Sequence, residues 1–443
     1  MSGGPTQPIA SESPAAHLSP VWPHLTPIVV ERAAGACIYD QHGTRHLDFT
    51  CGIGVTNTGH CHPRVVRAVQ EQAARLLHGQ LNIVLHPPIL ELVQALRDIV
   101  PAGLDTFFFA NSGAEAVEAA VKLARHATGR PNLIVFQGSF HGRTAMAMAL
   151  TTSKTTYRVN YQPLPAGVFV APYAYAYRYG WDAADTTRFC LRELELLLRT
   201  QTAPAETAAL IVEPVLGEGG YVVPPPEFLL GLRRVCDDHG ILLIADEVAV
   251  GFGRTGTMFA CEQEGVSPDL LCLGKGITGG YLPVAATLTT DTVYEAFLGD
   301  YASLRTFFHG HTYGGNPLGC AVALANLRIF EEEKTLESLP AKIARLEERL
   351  ARIAERPHVG SVRQRGLIAG VELVRDRGTR EPYPWTERRG WSVCQVARKC
   401  GVFLRPLGDV VVIFPPLAIS LEELDRICDA VETGIRCATE ETE

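Results

Sequence analysis

The chain has 443 residues, of which 47% are hydrophobic, and a formal net charge of -8. That length exceeds one ordinary core and predicts a large and a smaller domain, while scattered basic residues on a net-acidic chain exclude a nucleic-acid-binding surface. No apolar run approaches the roughly 18 residues that span a bilayer, and the opening stretch lacks a basic-then-apolar signal pattern, so the expectation is a cytoplasmic protein that does not enter membranes.

Residues 1–20 are rich in Pro, Ser, Gly and Ala and read as an arm that is disordered until docked. From Val29, VVERAAGACIYDQHGTRHLDFT gives two short strand-like runs around a hairpin signal at Asp40-Gln41-His42-Gly43. CGIGVTNTGHCHPRVV follows, glycine-rich and then proline-led into an amphipathic helix near Arg64 to Leu77. His60-Cys61-His62 invites a metal reading, but three consecutive residues do not readily face one ion, and no metal is expected. The 12 cysteines lack CxxC pairs or a disulfide-framework spacing and read as reduced, mostly buried small hydrophobes.

TFFFANSGAEAVEAAVKLARHATGRP reads as a strand, a tight turn at Asn111-Ser112-Gly113 and a helix from Ala114 to His126, stopped by Gly129 and Pro131. A helix N-terminus behind Ser-Gly is either an ordinary cap or an anion site, because its free N–H groups and dipole both favour negative charge. LIVFQGSFHGRTAMAMALT is a second buried strand, followed by a turn carrying Phe140, His141 and Arg143 and then a helix. AALIVEPVLGEGGYVVPP supplies a third strand ending at Glu213, then a glycine turn carrying Glu218.

The stretch ILLIADEVAVGFGRTGTMFACEQEGVSPDLLCLGKGITGGY holds an acid and a lysine in unusual settings. ILLIA suits a strand covered on both faces, and Asp246 is the first charge at its carboxyl end. LLCLG repeats the pattern, with Lys275 as the first charge after it. Ligands collect outside the carboxyl ends of parallel strands, so two neighbouring strands could aim a carboxylate and an amine into one crevice. A lysine among glycines and apolar residues is partly desolvated, which frees its neutral amine as a nucleophile. Taken singly, Asp246 would cap a strand and Lys275 would be a solvated loop residue.

Beyond Lys275, TFFHGHTYGGNPLGCAVAL precedes a charged helical stretch, EEEKTLESLPAKIARLEERLARIAERP, whose alternating signs suggest a solvated face. VRQRGLIAGVELV, a helix near Gly390 to Cys400, FLRPLGDVVVIFPPL and a last amphipathic helix complete a compact α/β unit. No internal repeat is visible.

The whole string, an apolar strand, Asp-Glu, a GFGRTG turn, Pro-Asp and Gly-Lys-Gly, resembles the class III aminotransferases of fold type I, and the resemblance runs through roughly residues 25 to 435. It implies an α/β fold in which a mainly parallel sheet wrapped by helices forms a large domain, 63–330. A small α/β domain comes from both termini, 21–62 and 331–443. It implies the cofactor pyridoxal 5'-phosphate, with Lys275 as its covalent anchor and Asp246 holding its ring nitrogen protonated. The same resemblance assigns Ser112, Gly113 and Ala114 to the cofactor phosphate, and Phe140, His141 and Val248 to the cofactor. Thr312 is assigned to the phosphate from across the interface of a homodimer with shared active sites, and Glu213 to a place near the reactive lysine. Ile53, in the loop that lines the substrate entrance, joins Arg143, Glu218 and Arg405 as candidate substrate-binding residues.

Departures from the pattern bear on substrate. Val412 and Ala249 stand where ornithine, acetylornithine and many 4-aminobutyrate enzymes carry an acid-binding arginine and a glutamine. Arg405 in LRPLGD is instead a form shared by 7,8-diaminopelargonate aminotransferases and amine:pyruvate ω-transaminases, where it grips a carboxylate. Cys51 to Val55 and Glu218 look more like 4-aminobutyrate aminotransferases. The expectation is a ping-pong transaminase moving an amino group from an ω-amino acid or primary amine to a 2-oxo acid. Its alternative is a 7,8-diaminopelargonate aminotransferase. A decarboxylase or isomerase on the same fold, or a binding protein, is the reading from another class, since fold does not fix reaction.

Overall fold

The computed structural model describes Leu18 and residues 24–441, so the expected arm over residues 1–20 lies, apart from Leu18, outside the described residues. Seven strands form a central sheet: β1 (Thr106–Ala110), β2 (Asn132–Phe136), β3 (Val168–Ala171), β4 (Thr207–Val212), β5 (Leu242–Asp246), β6 (Leu270–Leu273) and β7 (Ala285–Thr289). Their spatial order is β1-β7-β6-β5-β4-β2-β3. Neighbours are parallel except at β7, which runs antiparallel to β1 and β6.

Crossover helices cover both faces of a parallel sheet, and the strands accordingly read as continuous apolar runs. The pleat then sends consecutive side chains to opposite cores. Ile134 and Phe136 of β2 join Leu210, Val212 and Leu243 on one face, where the rings of Phe136, Tyr173 and Phe228 meet edge to face. Leu133, Val135, Ala209, Ile211 and Ile244 pack on the other, against Val117, Val121 and Ala124 of helix α1 (Gly113–Thr128). Alanine-rich α1 starts at Ser112, whose hydroxyl accepts the N–H of Glu115, and stops at Gly129, whose φ of 65° favours glycine.

The N-terminal segment forms three strands rather than two, Val30–Ala34, Cys37–Asp40 and Arg45–Asp48. Gly35, at φ 56°, turns the chain inside the first of the two expected runs. Val402–Phe403 pairs in parallel with Arg45–Asp48, so the two ends of the chain meet in one four-stranded sheet. A third sheet of Val359–Arg365, Ile368–Leu373, Val410–Ile413 and Arg405–Leu407 is antiparallel throughout. Val371, Val411 and Ile413 share a core with Val393 and Ala397 of helix Arg389–Lys399 and with Ile427 and Val431 of helix Leu421–Thr439.

The helix expected near Arg64 to Leu77 spans Pro63–Ala73, and Gln72 Nε2 donates to Leu76 O at 2.8 Å across the turn that follows. The charged stretch begins with the last two residues of α2 (Pro317–Glu332) and continues as α3 (Thr335–Ala354), the two helices separated where Lys334 adopts a left-handed φ of 48°. His60 and His62 diverge to different carboxylates, Asp48 at 2.9 Å and Glu333 at 2.8 Å. Among the described residues no helix is long and apolar enough to cross a membrane.

Candidate active site

The carboxyl ends of β4, β5 and β6 open side by side, and each delivers one charged residue. β5 and β6 pair with Asp246 opposite Cys272, which places the acid on the strand beside the turn that carries Lys275. Asp246 is buried; its Oδ2 accepts a hydrogen bond from His141 Nδ1 at 2.7 Å and its Oδ1 one from Val248 N at 3.1 Å. Because a carboxylate only accepts, the His141 hydrogen sits on Nδ1. The opposite ring nitrogen, Nε2, is buried without a protein partner.

Lys275 follows β6 after Gly274 and opens a short 3-10 turn, Lys275–Thr278, with a left-handed φ of 39°. Desolvation holds its ammonium below the usual lysine range, against the opposing pull of Glu218, Asp246 and Glu213. Glu213, the residue after β4, is buried and accepts N–H groups from Phe140 at 2.8 Å and Gly217 at 2.9 Å. Burial pushes its carboxyl up to about 7, with the neighbouring His141 opposing the rise and Asp246 adding to it.

The N-terminus of α1 faces the same crevice. A Cβ on Gly113 would stand 2.6 Å from Val248 Cγ1 and the Cα of Gly113 already lies 3.6 Å from a Cβ built on Gly274, so glycine alone permits this approach. The N–H groups of Gly113 and Ala114 belong to the first turn, which has no intrahelical acceptor for them. Phe140 meets Tyr157 edge to face at 5.3 Å, and the exposed Arg143 lies over the Tyr157 ring at 4.9 Å.

Glu218 forms a charged cluster at the other side. One oxygen, Oε1, accepts from Arg405; the other, Oε2, accepts from Lys154 Nζ at 3.0 Å and Tyr157 OH at 2.8 Å. Burial alone would raise this carboxyl, but Arg405 and Lys154 hold it down at about 2. Arg405 sits at the start of strand Arg405–Leu407, opposite Val412, and Glu218 holds its guanidinium above the usual arginine range despite burial. Val412, Leu407 and Phe414 form an apolar cluster against which Ala249 packs.

Two other expected site residues are exposed in one copy of the chain. Ile53 is exposed in a left-handed turn, with Cys51, Gly52, Ile53 and Gly54 all at positive φ. A β-branched residue there is strained, and Asp48 Oδ1 braces the turn by accepting Thr50 N at 3.0 Å, Cys51 N at 3.2 Å and Thr50 Oγ1 at 2.7 Å. Thr312 is exposed on a loop that runs along α1, where Lys122 Nζ donates to Phe308 O at 3.1 Å.

Sequence reasoning passed over Lys154 and Tyr157, which hold Glu218, and Arg363, whose guanidinium donates to Gly220 O at 2.9 Å and fixes the same glycine turn. A basic and an aromatic residue in SKTTYR, a loop with no periodicity, carry no signal that separates them from solvated loop residues.

The residues fit pyridoxal phosphate. Free N–H groups of Gly113 and Ala114 with the Ser112 turn would take the phosphate. Phe140 and Val248 would cover the two ring faces, the spare acceptor capacity of Asp246 would meet the ring nitrogen, and Lys275 would hold the reactive carbon. Each Asp246 oxygen accepts one hydrogen bond among the described residues, which leaves acceptor capacity at the crevice for such a ring nitrogen.

The family model for Aminotransferase class-III matches residues 18–435. The chain is 47% identical over 429 residues to the adenosylmethionine-8-amino-7-oxononanoate aminotransferase of Geobacter sulfurreducens, covering 94% of each chain. It is 40% identical over 360 residues to the 5-aminovalerate aminotransferase DavT of Pseudomonas aeruginosa, covering 81% of this chain and 82% of that one. Its structure resembles a thermostable (S)-enantioselective omega-transaminase from Thermomicrobium roseum with a TM-score of 0.90 at 35% identity, over 96% and 97% of the two chains.

The raised Glu213 carboxyl has a pH signature. Its neutral form is preferred in the folded protein, so its contribution to stability is complete below its ordinary value of 4.5 and is lost as pH rises toward about 7. Glu213→Gln cannot ionise and loses one acceptor. The variant's deficit in thermal midpoint relative to the parent is therefore largest near about pH 5 and narrows by about pH 8. Unfolding of the cofactor-stripped proteins across that range measures the gap; a gap independent of pH contradicts the raised carboxyl.

Proposed function

The chain belongs to the class III aminotransferases, pyridoxal-phosphate-dependent enzymes of fold type I, and from that premise we propose that it transfers an amino group from S-adenosylmethionine to 8-amino-7-oxononanoate. The observation that carries this reading is the end-to-end identity of 47% with a relative named for that reaction. The half-buried Arg405 supports it, because donor and acceptor both present a carboxylate that a planar guanidinium can grip. Val412 and Ala249, packed in an apolar cluster, add no second charge beside it.

When bound, pyridoxal phosphate supplies the electron sink that makes a proton on the donor carbon removable. Asp246 keeps a proton at the ring nitrogen, and His141 fixes the carboxylate that does so. Lys275 Nζ, which desolvation makes easier to deprotonate, accepts the proton from the donor carbon and returns it on the opposite course. Glu213 anchors the Phe140 and Gly217 backbones that border this exchange. Arg405 leaves Glu218 to bind the substrate carboxylate, and Glu218 stays paired with Lys154. Donor and acceptor use the site in turn, a ping-pong sequence. In this reading two copies pair in the cytoplasm and the exposed Thr312 of each completes the phosphate site of the other.

A second reading, an ω-amino acid transaminase that also takes primary amines, is favoured by the Glu218–Arg405 pair and by 40% identity to the 5-aminovalerate enzyme. Single-turnover rates with the two pairs of substrates separate the readings. S-adenosylmethionine should convert the bound cofactor and 8-amino-7-oxononanoate should restore it, both faster than 5-aminovalerate and pyruvate. The reverse order assigns the chain to the second reading.

Arg405→Ala should cut kcat/KM for carboxylate substrates while leaving the half-reaction of a simple aryl-alkyl amine nearly untouched. A lost charge-assisted contact is worth about 1.5 to 3 kcal/mol, hence roughly tenfold to over a hundredfold. Equal losses for acids and amines would make Arg405 structural.

A further inference from the structure

The turn that carries Lys275 is held from behind by a buried amide network. Gly276 O accepts two side-chain N–H groups, from Asn57 Nδ2 at 3.0 Å and Asn326 Nδ2 at 2.9 Å, and Asn326 Nδ2 also reaches Ile277 O at 3.3 Å. Thr58 Oγ1 donates to Asn326 Oδ1 at 2.8 Å, which orients that amide with its N–H groups toward the turn. Asn57 Oδ1 accepts Thr58 N at 2.9 Å, and Asn57 O accepts Leu417 N at 2.7 Å. Asn57 and Asn326 are inaccessible to solvent and Thr58 nearly so.

The donors arrive from remote parts of the chain. Asn57 lies three residues beyond the left-handed turn at Cys51–Gly54, and Asn326 is on α2. A Cβ on Gly279 would stand 2.7 Å from Asn326 Oδ1 and 2.9 Å from Thr58 Oγ1, so the turn packs directly on the amides. Packing alone would be served by leucine; burying two amides is costly unless their hydrogen bonds are made, and both are spent on one carbonyl.

The turn needs this support, because Lys275 has a left-handed φ of 39° that a lysine adopts only when its surroundings over-determine it. Two N–H groups on Gly276 O fix the peptide plane that follows Lys275 by one residue, and Ile277 N bonds to Gly274 O at 3.0 Å on the other side. We propose that Asn57 and Asn326 are positioning residues, which act through the Gly276 carbonyl to hold Lys275 in the strained turn that points its amine into the crevice. The proposal rests on the reading of Lys275 as the reactive amine.

Competitive labelling of the cofactor-stripped protein with fluorodinitrobenzene, followed across pH by peptide mass spectrometry, reads the exposure and basicity of Lys275 without turnover. Asn326→Leu and Asn57→Ala should each slow Lys275 labelling at neutral pH by roughly three- to tenfold and move its onset to higher pH, with the double variant slower still. Thr58→Val, nearly isosteric, should give a smaller change in the same direction, and decides the matter if an asparagine variant fails to fold. Phe136→Ala, in a core remote from the network, should lower the melting midpoint and leave Lys275 labelling parental. Asparagine or Thr58 variants with lower melting midpoints and parental Lys275 labelling would overturn the proposal. Borohydride reduction of the cofactor-loaded parent should mark Lys275; a mark on another lysine would instead overturn the reading of Lys275 itself.

Discussion

Strands β5 and β6 end in register, with Asp246 opposite Cys272, and the site depends on that pairing. Both strands are covered on their two faces, so their polar residues can appear only where the strands leave the cores. That is why the acid and the lysine emerge at one edge of the sheet. Glu213 emerges at the same edge from β4, the next strand over, for the same reason. A slip of one residue in either strand would turn Asp246 or the Lys275 turn into a core that has no room for charge.

Electrostatics then divides three carboxylates by their surroundings. Glu213, buried and served only by backbone N–H groups, is pushed up to about 7. Glu218, somewhat less enclosed and facing Arg405 and Lys154, is held at about 2. Asp246 is locked to His141, which has no acceptor but this one. Lys275 among these groups is nonetheless deprotonated more easily than an ordinary lysine, because loss of water outweighs the pull of the acids. Glu218 divides its oxygens between an arginine on the strand Arg405–Leu407 and a lysine and tyrosine of the loop before β3, so one partner can leave while the others keep the charge paired.

The parts of this site that follow from local pattern are legible in the amino-acid sequence. ILLIA and LLCLG are continuous apolar runs because parallel strands are buried on both faces, and their terminal charges name Asp246 and Lys275. The start of α1 is legible from Ser-Gly before an alanine-rich run, and the resemblance to class III aminotransferases supplied the fold. What is not legible depends on contacts between distant segments. His141 and Asp246 are 105 residues apart, and Asn57 and Gly276 are 219 apart, so no spacing rule connects them. Gly35 escaped because a lone glycine between apolar residues looks the same in a strand and in a turn. Cys51–Val55 and Glu218, in their likeness to 4-aminobutyrate aminotransferases, point to an ω-amino acid or primary amine as donor, whereas similarity over the whole chain favours the diaminopelargonate enzymes. A few positions at the mouth of a site weigh little against a core of matching residues when the two halves of a sequence point to different relatives.

In the proposed function Asp246 keeps a proton on the cofactor ring nitrogen while Lys275 moves the proton on the substrate. Asp246→Asn tests it most directly, because asparagine keeps the shape and removes the charge. The variant should still bind pyridoxal phosphate and still mark Lys275 on borohydride reduction. Its single-turnover half-reaction should be slower by about a hundredfold or more, the scale of one lost electrostatic contact to the transition state. Near-parental single-turnover rates in that variant would contradict this role of Asp246.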